Sequence, residues 1–436
     1  MLTNMKNQED ILKKLKISTL NPMQEETLTV FESSSDIILL SPTGTGKTLA
    51  FLLPIIENLD AKSDEIQVLI LVPSRELALQ IEQVIREMGS GYKTNAVYGG
   101  RAGYQDKLDL KHNPSILIGT PGRVADLLKR NRFSTQFIRT LVLDEFDKSL
   151  EIGFENEMSE IVAALPNIEK RMLTSATKAT EIPAFVGLTH PVYIDYSDEI
   201  IVQLKIKTVV SPTKDKLETL VKTLHHIGNQ PGIIFCNFKE TIQEVSDYLT
   251  AKRIHHACFF GGMEQIDRER ALIKFRNGTH RLIVATDLAA RGLDIPELKF
   301  IIHFQLPPRS QEFTHRNGRT ARMNADGTAY ILKWEHEALP EFIGNTEIEK
   351  IKDAPTPNAP SWKTLYITGG RRDKISKGDI AGLFIKQGGL SNDELGIIEI
   401  KQDCSYVAVP TSKMDALINT LNNSKLKTKK VRVSEV

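Results

Sequence analysis

Short runs rich in Val, Ile and Leu recur along the chain every few tens of residues: "DIILLSP", "VLILVPS", "SILIGTP", "TLVLDEF" and "RMLTSAT". Each is bounded by Pro, Gly, Ser or Thr and followed by a stretch with helical spacing of apolar residues. Unbroken apolar runs suit strands covered on both faces, and their alternation with helices predicts a parallel sheet.

The pattern restarts after "YSDEIIVQLKIK" with "GIIFCN", "HACFFGG", "RLIVATD", "FIIHFQL" and "GTAYIL". This predicts two α/β domains, residues 1–200 and 201–348. The halves share no visible sequence identity, so the repeat is one of architecture. Next, "DAPTPNAPS" carries three prolines in nine residues and suits an extended linker, residues 349–361. Residues 362–436 then read as strand, helix, two strands, helix and strand, the split-βαβ order.

A length of 436 residues exceeds one ordinary core. The 41% apolar and 25% charged fractions are those of a folded globular protein. The net charge of +1 divides into +5 on residues 361–436 and −4 on the remainder, so an anionic partner is expected for the tail. Cys236, Cys258 and Cys404 lie far apart, which gives no metal-spaced pair and no disulfide framework; a reducing, cytoplasmic setting is expected. The N-terminal "MLTNMKNQEDILKKLKI" has no apolar core of signal-peptide length, and no apolar run approaches 18 residues, so no membrane partner is expected.

The strongest chemical signal is "IILLSPTGTGKTLAFLLPII". A strand enters a loop with Gly44 and Gly46, and Lys47 and Thr48 open a helix. Glycines let backbone N–H groups close around phosphate oxygens, Lys47 can reach the β and γ phosphates, and Thr48 can ligate Mg2+. The loop expected to hold the nucleotide is Ser41, Thr43, Gly44, Thr45 and Gly46, with Ser41 where the usual pattern has Gly.

The stretch "VLDEFDKS" ends an apolar run with Asp144, Glu145 and Asp147. Taken alone, such a cluster suits a solvated strand end. The phosphate loop upstream changes that, because a P-loop nucleoside triphosphatase needs a carboxylate at a neighbouring strand end for Mg2+. Asp144 holds that position, and Glu145 is placed to polarise the attacking water.

Read together, "SPTGTGKT", "PSRELALQ", "TPGR", "DEFD", "SAT", "ATDLAARGLD" and "HRNGRTAR" resemble the ordered motif series of DEAD-box RNA helicases, from about residue 20 to residue 335. The resemblance implies two tandem RecA-like parallel-sheet domains followed by a small RRM-like α+β domain, with ATP and Mg2+ as cofactors. It implies that Gln24 reads adenine, that Lys47, Thr48 and Asp144 hold phosphate and metal, and that Glu145 is the base. Asp147, Ser175, Thr177 and His315 would couple hydrolysis to strand separation. Asp294 would contact the nucleotide, and Arg319 and Arg322 would complete the site as arginine fingers. Arg75, Gly100, Thr120, Arg123, Arg268 and Thr286 match positions that line or support the RNA groove. For Gly100, a tight turn remains an equal alternative.

Four positions depart from the family pattern. Phe146 replaces a small residue in the signature tetrad, Asn317 and Ala321 vary "HRNGRTAR", and no aromatic lies at the expected distance upstream of Gln24.

The tail, through "LYITGGRRDKISKGDIAGLF", "YVAVP" and "KLKTKKVRV", resembles the RNA-binding domain of DbpA-type DEAD-box proteins. That resemblance implies docking on large-subunit ribosomal RNA during ribosome assembly, by a protein acting as a monomer. Arg371, Arg372 and Lys374 form the expected contact loop, and Lys425, Lys427, Lys429 and Lys430 a second basic cluster. Tyr366 is either core or a base-stacking platform. Three rivals stay open: an ATP-gated RNA clamp, a DNA helicase, and a ribosome-associated binding module.

Overall fold

The computed structural model describes residues 7–42, 44–100, 106, 110–176, 181–197, 204–287, 298–320 and 327–436. They form two compact units.

The first unit contains β1 (Asp36–Leu40), β2 (Val68–Leu71), β3 (Thr94–Val97), β4 (Ile116–Gly119), β5 (Thr140–Leu143), β6 (Lys170–Ser175) and β7 (Val192–Asp195). They make one seven-stranded sheet in the order β3-β4-β2-β5-β6-β1-β7, parallel throughout. Alternate residues of β1 enter different cores: Ile37 and Leu39 join one cluster, and Ile38 and Leu40 the other. Both faces of the sheet are therefore covered, as an unbroken apolar run requires.

The second unit begins with β8 (Leu204–Ser211), β9 (Gly232–Phe235), β10 (Ala257–Phe259), β11 (Leu282–Ala285), β12 (Phe300–His303), β13 (Gly327–Trp334) and β14 (Glu347–Ile348). The order is β10-β11-β9-β12-β13-β8-β14, again parallel. With β8 taken as the counterpart of β1, this order repeats that of the first sheet position by position. The repeat of architecture without sequence identity is thus a repeat of topology.

The tail adds β15 (Trp362–Thr368), β16 (Ile398–Ile400), β17 (Cys404–Pro410), a hairpin of β18 (Lys425–Leu426) and β19 (Lys429–Lys430), and β20 (Val433–Glu435). Its antiparallel sheet runs β16-β17-β15-β20, with helices Lys377–Gly382 and Met414–Leu421 completing the split-βαβ arrangement. The hairpin is an addition that the lysine-rich run did not announce.

One face of the tail sheet packs on its own helices through Leu365, Ile367, Val407 and Val409. The other carries Thr364, Tyr366, Glu399 and Tyr406, by the period-two alternation of a strand. This second face meets the helix Gln265–Arg276 and the residues after it. Thr364 Oγ1 lies 2.7 Å from Thr279 Oγ1 and accepts from Asn277 Nδ2 at 3.2 Å, all buried. The Tyr366 ring stands edge-on to Tyr406 with centroids 5.7 Å apart. Tyr366 is thus on the face opposite the tail core and beside the parallel-sheet domain.

Candidate functional site

In a parallel sheet the loops after the strands emerge from one edge, and ligands bind there. Leu40 pairs with Ser175, and Leu143 with Leu173, so the loops after β1, β5 and β6 are neighbours.

The loop after β1 is tightly braced. The side chains of Ser41 and Thr45 share a hydrogen bond of 2.7 Å, and the Ser41 amide donates to the Ser175 carbonyl at 3.1 Å. Gly44 and Gly46 have φ of 86° and 93°, a region open to glycine and strained for other residues. Gly46 is the N-cap residue of the helix Lys47–Glu57 and supplies no side-chain capping bond. Buried Lys47 folds back to donate from Nζ to the carbonyls of Ser41 and Pro42, the latter at 2.8 Å. Thr48 follows, half-buried.

Gln24 holds this loop from behind. It closes a capping box with Asn21 at the start of the helix Pro22–Ser33, and its Nε2 donates to the Gly46 carbonyl at 3.3 Å. Asn21 Nδ2 donates to Thr45 O at 2.9 Å. A Cβ on Gly46 would stand 2.5 Å from Gln24 Nε2. Gln24 therefore positions the phosphate loop, whatever else it contacts.

The acidic cluster is not a solvated strand end: Asp144, Glu145 and Asp147 are all buried. Glu145 adopts a left-handed conformation, φ 48° and ψ 47°, between β5 and the helix Phe146–Glu151. For a residue with a Cβ this costs on the order of 1 kcal/mol, and such strain gathers at functional sites. Thr174 Oγ1 donates to Asp144 Oδ1 and accepts the Glu145 amide at 3.1 Å. Burial, with the charge of Glu145 beside it, pushes the Asp144 carboxyl up to about 6, against the pull of Thr174 and Lys47. Phe146 is buried in the same cluster as Leu143 and Leu150, so this departure fills core space.

This donor set fits a divalent cation. A Mg2+ site on a nucleotide takes only one or two carboxylates from the protein, the other ligands being phosphate oxygens and water. Buried, mutually repelling carboxylates gain from an added positive charge.

Around the same edge, Arg75 opens the helix Arg75–Met88. Gly100 has φ of 81°, and a Cβ there would stand 2.6 Å from Arg75 Nη1. Buried Thr120 is the N-cap residue of the helix Pro121–Lys129, without a capping bond from its side chain. The Arg123 side chain donates from Nε to Asp106 Oδ2 at 2.7 Å and from Nη1 to Asp126 at 2.9 Å. Sequence reasoning missed Asp106, fully buried and 17 residues upstream.

In the second unit, Arg316 is buried and holds Asp287 through two bonds, the Gln305 carbonyl at 2.6 Å and Asn237 Oδ1 at 2.8 Å. That arginine was not singled out from the sequence, yet it ties the loops after β9, β11 and β12 together. His315 and Arg319 flank it and are buried. Asn317 accepts from buried His303 Nε2 at 3.0 Å, so this variation of the motif is half of a buried polar pair. Burial and the charge of Arg316 push His303 down to about 3. The Arg268 guanidinium lies over the Phe259 ring at 4.8 Å, and the Thr286 amide donates to Phe259 O at 3.3 Å. Thr43, Thr177, Asp294 and Arg322 lie outside the described residues.

In the tail, the Arg371 and Arg372 amides donate to the carbonyls of Lys401 and Gln402, both at 2.9 Å. A Cβ on Gly370 would meet Lys401 O at 2.4 Å. Exposed Arg372 pairs with Asp403 at 2.8 Å. Lys374 has φ of 58°, and its carbonyl accepts Lys427 Nζ. Lys427 and Lys429 also pair with Asp379 and Asp373, each at 2.8 Å. The Arg371–Lys374 loop and the β18–β19 hairpin are therefore one basic surface.

A phosphate loop, buried carboxylates at adjoining strand ends, a second sheet of identical topology and a basic tail define an ATP-dependent RNA helicase of the DEAD-box class. The chain matches the DEAD/DEAH box helicase model over residues 21–185, the helicase conserved C-terminal domain over 215–324, and the DbpA RNA binding domain over 364–435. It is 31% identical to the ATP-dependent RNA helicase DbpA of Escherichia coli (strain K12), covering 97% of this chain and 95% of that one. It is 30% identical to the ATP-dependent RNA helicase DbpA of Bacillus subtilis (strain 168), covering 95% and 94%. The chain belongs to the DbpA-type DEAD-box ATP-dependent RNA helicases. Among solved structures, the DEAD-box helicase Mss116 bound to single-stranded RNA and UDP-BeF aligns with a TM-score of 0.67 at 26% identity, over 76% of this chain and 74% of that one. The fold is shared with S. cerevisiae Dbp5, TM-score 0.69, over 78% of this chain and 93% of that one.

Proposed function

We propose that this helicase opens short RNA duplexes on large-subunit ribosomal RNA during ribosome assembly, as a monomer in the cytoplasm, with its tail choosing the target. The observation that carries the choice of target is the continuous basic surface built by Arg371, Arg372 and Lys374 with Lys427 and Lys429.

At the hydrolytic site Lys47 and the amides of the loop after β1 take the phosphates. Thr48 and Asp144 would hold Mg2+, which supplies charge neutralisation on the phosphates. Glu145, held in its left-handed turn, orients and deprotonates water, and Thr174 fixes the neighbouring Asp144. Arg319 and Arg322 stabilise charge on the transferring phosphoryl group; such groups contribute about 10³–10⁵ in rate. Asp147, Ser175, Thr177 and His315 link that chemistry to RNA. Ser175 supports this through its bond to the first residue of the phosphate loop. Arg75 with Gly100, Thr120, Arg123, Arg268 and Thr286 grip the RNA backbone, which gives affinity without sequence choice.

The test is steady-state ATPase activity of the full chain with generic RNA, DNA, and RNA carrying a large-subunit hairpin. The hairpin RNA stimulates best, and R371A/R372A/K374A abolishes that preference while generic RNA still stimulates. Equal stimulation by every RNA in both proteins removes the ribosomal target.

A further inference from the structure

Phe238 is 62% exposed, the most of any Phe, Tyr or Trp among the described residues. It is the N-cap residue of the helix Lys239–Ala251, with extended backbone and no capping hydrogen bond from its side chain. Ser, Thr, Asp or Asn there would cap the free amides of the first turn and stabilise the helix. The position thus violates two local preferences at once, and such violations gather where function demands them.

Its place in the fold says what the function is. Phe238 follows β9, and the Cys236 amide donates to Ala285 O at 3.0 Å, at the end of β11. The next residue of that strand end, Thr286, donates to Phe259 O at the end of β10. Phe238 therefore stands on the strand-end edge that also bears Thr286 and Arg268. Cations are already fixed there against rings: Lys239 Nζ lies 5.3 Å from the Phe260 centroid, and Arg268 4.8 Å from that of Phe259. Beyond them Gly262, at φ 89°, leaves open space where a Cβ would be. An exposed ring among positive charges suits an anion that carries flat aromatic groups.

We infer that Phe238 stacks on a base of single-stranded RNA held along this edge. The inference rests on Arg268 and Thr286 lining the RNA groove. Every base has a stacking face, so the contact is sequence-tolerant. It adds grip on unpaired bases to the backbone contacts, and a base inside a duplex is hidden from the ring.

The experiment measures equilibrium binding of the full chain, with the ATP analogue AMP-PNP, to a single-stranded RNA and to the same strand with abasic positions. F238A weakens binding to the ordinary strand about tenfold and leaves binding to the abasic strand unchanged. F238W retains affinity where F238L does not, because the ring and not mere bulk is needed. Thermal unfolding of F238A matches that of the parent, since the side chain is exposed. R268A serves as the control for the groove and weakens both strands. If R268A weakens binding but F238A does not, or F238A weakens both strands alike, the groove stands and the stacking role falls. If neither substitution matters, the groove reading falls with it.

Discussion

Arg276 grips Glu399 through two parallel bonds, Nε to Oε1 at 2.8 Å and Nη2 to Oε2 at 3.0 Å, and so joins the second parallel-sheet domain to strand β16 of the tail. Lys401 lies 3.6 Å from Glu269 and 3.9 Å from Glu399 and extends the contact. The side chains are 26% and 19% exposed, which places the pair between surface ion pairs, worth about 0–1 kcal/mol, and buried ones, about 3–5 when broken.

Replacing either residue by Ala is therefore expected to destabilise the second unit by about 1–2 kcal/mol. In a double-mutant cycle by denaturant unfolding, R276A and E399A should be non-additive, with a coupling of about 1 kcal/mol. The reversed pair R276E/E399R should recover part of the loss. Additive effects would show that the pair does not hold the tail.

Thr174 is expected to matter to chemistry beyond its size, because one hydroxyl serves both Asp144 and the Glu145 amide. T174V keeps the shape and removes the hydroxyl. A lost bond to a charged group is worth about 1.5–3 kcal/mol. The expected result is kcat lowered about 10- to 100-fold, with ATP and RNA affinities little changed. E145Q should bind both ligands and fail to turn over. Normal turnover in E145Q would remove Glu145 as the base.

The central strands were legible because they are buried on both faces and so have unbroken apolar runs. β3, β7, β8 and β14 were not singled out: "TNAV", "VYID" and "LKIKTVVS" are partly exposed edge or next-to-edge segments with polar residues. Strand order was not legible, since it is set by packing between distant segments. The phosphate loop was legible because close phosphate approach needs glycines at fixed offsets. The Asp106–Arg123 and His303–Asn317 pairs leave no local pattern, and neither does the packing of the Thr364 and Glu399 face of the tail sheet on another domain. The two basic clusters of the tail were visible separately; only folding makes them one surface.

Gly100 is expected to act through Arg75. An added Cβ would meet the guanidinium at 2.6 Å in a backbone region where side chains are strained. G100A should raise the RNA concentration for half-maximal ATPase stimulation about tenfold or less, the strain alone costing about 1 kcal/mol. KM for ATP at saturating RNA should hold. If the RNA requirement is unchanged, Arg75 does not depend on Gly100 for its placement.

His303 provides a test by pH. Folding holds its imidazole near 3 by burial and by Arg316, whereas an unfolded histidine titrates near 6.5. Between those values the unfolded chain binds a proton that the folded chain refuses, so stability falls as pH drops below about 6.5, at a limiting slope of about 1.4 kcal/mol per pH unit. His280, which burial pushes down to about 4, acts in the same direction, so the informative quantity is a difference between two proteins. H303N can still donate to Asn317 and cannot take up the proton. Denaturant unfolding at pH 7.5 and pH 5 should show the parent losing more stability than H303N, by about 1–2 kcal/mol. Equal losses would mean that His303 takes up its proton while still folded, and that the His303–Asn317 pair accommodates a charge beside Arg316.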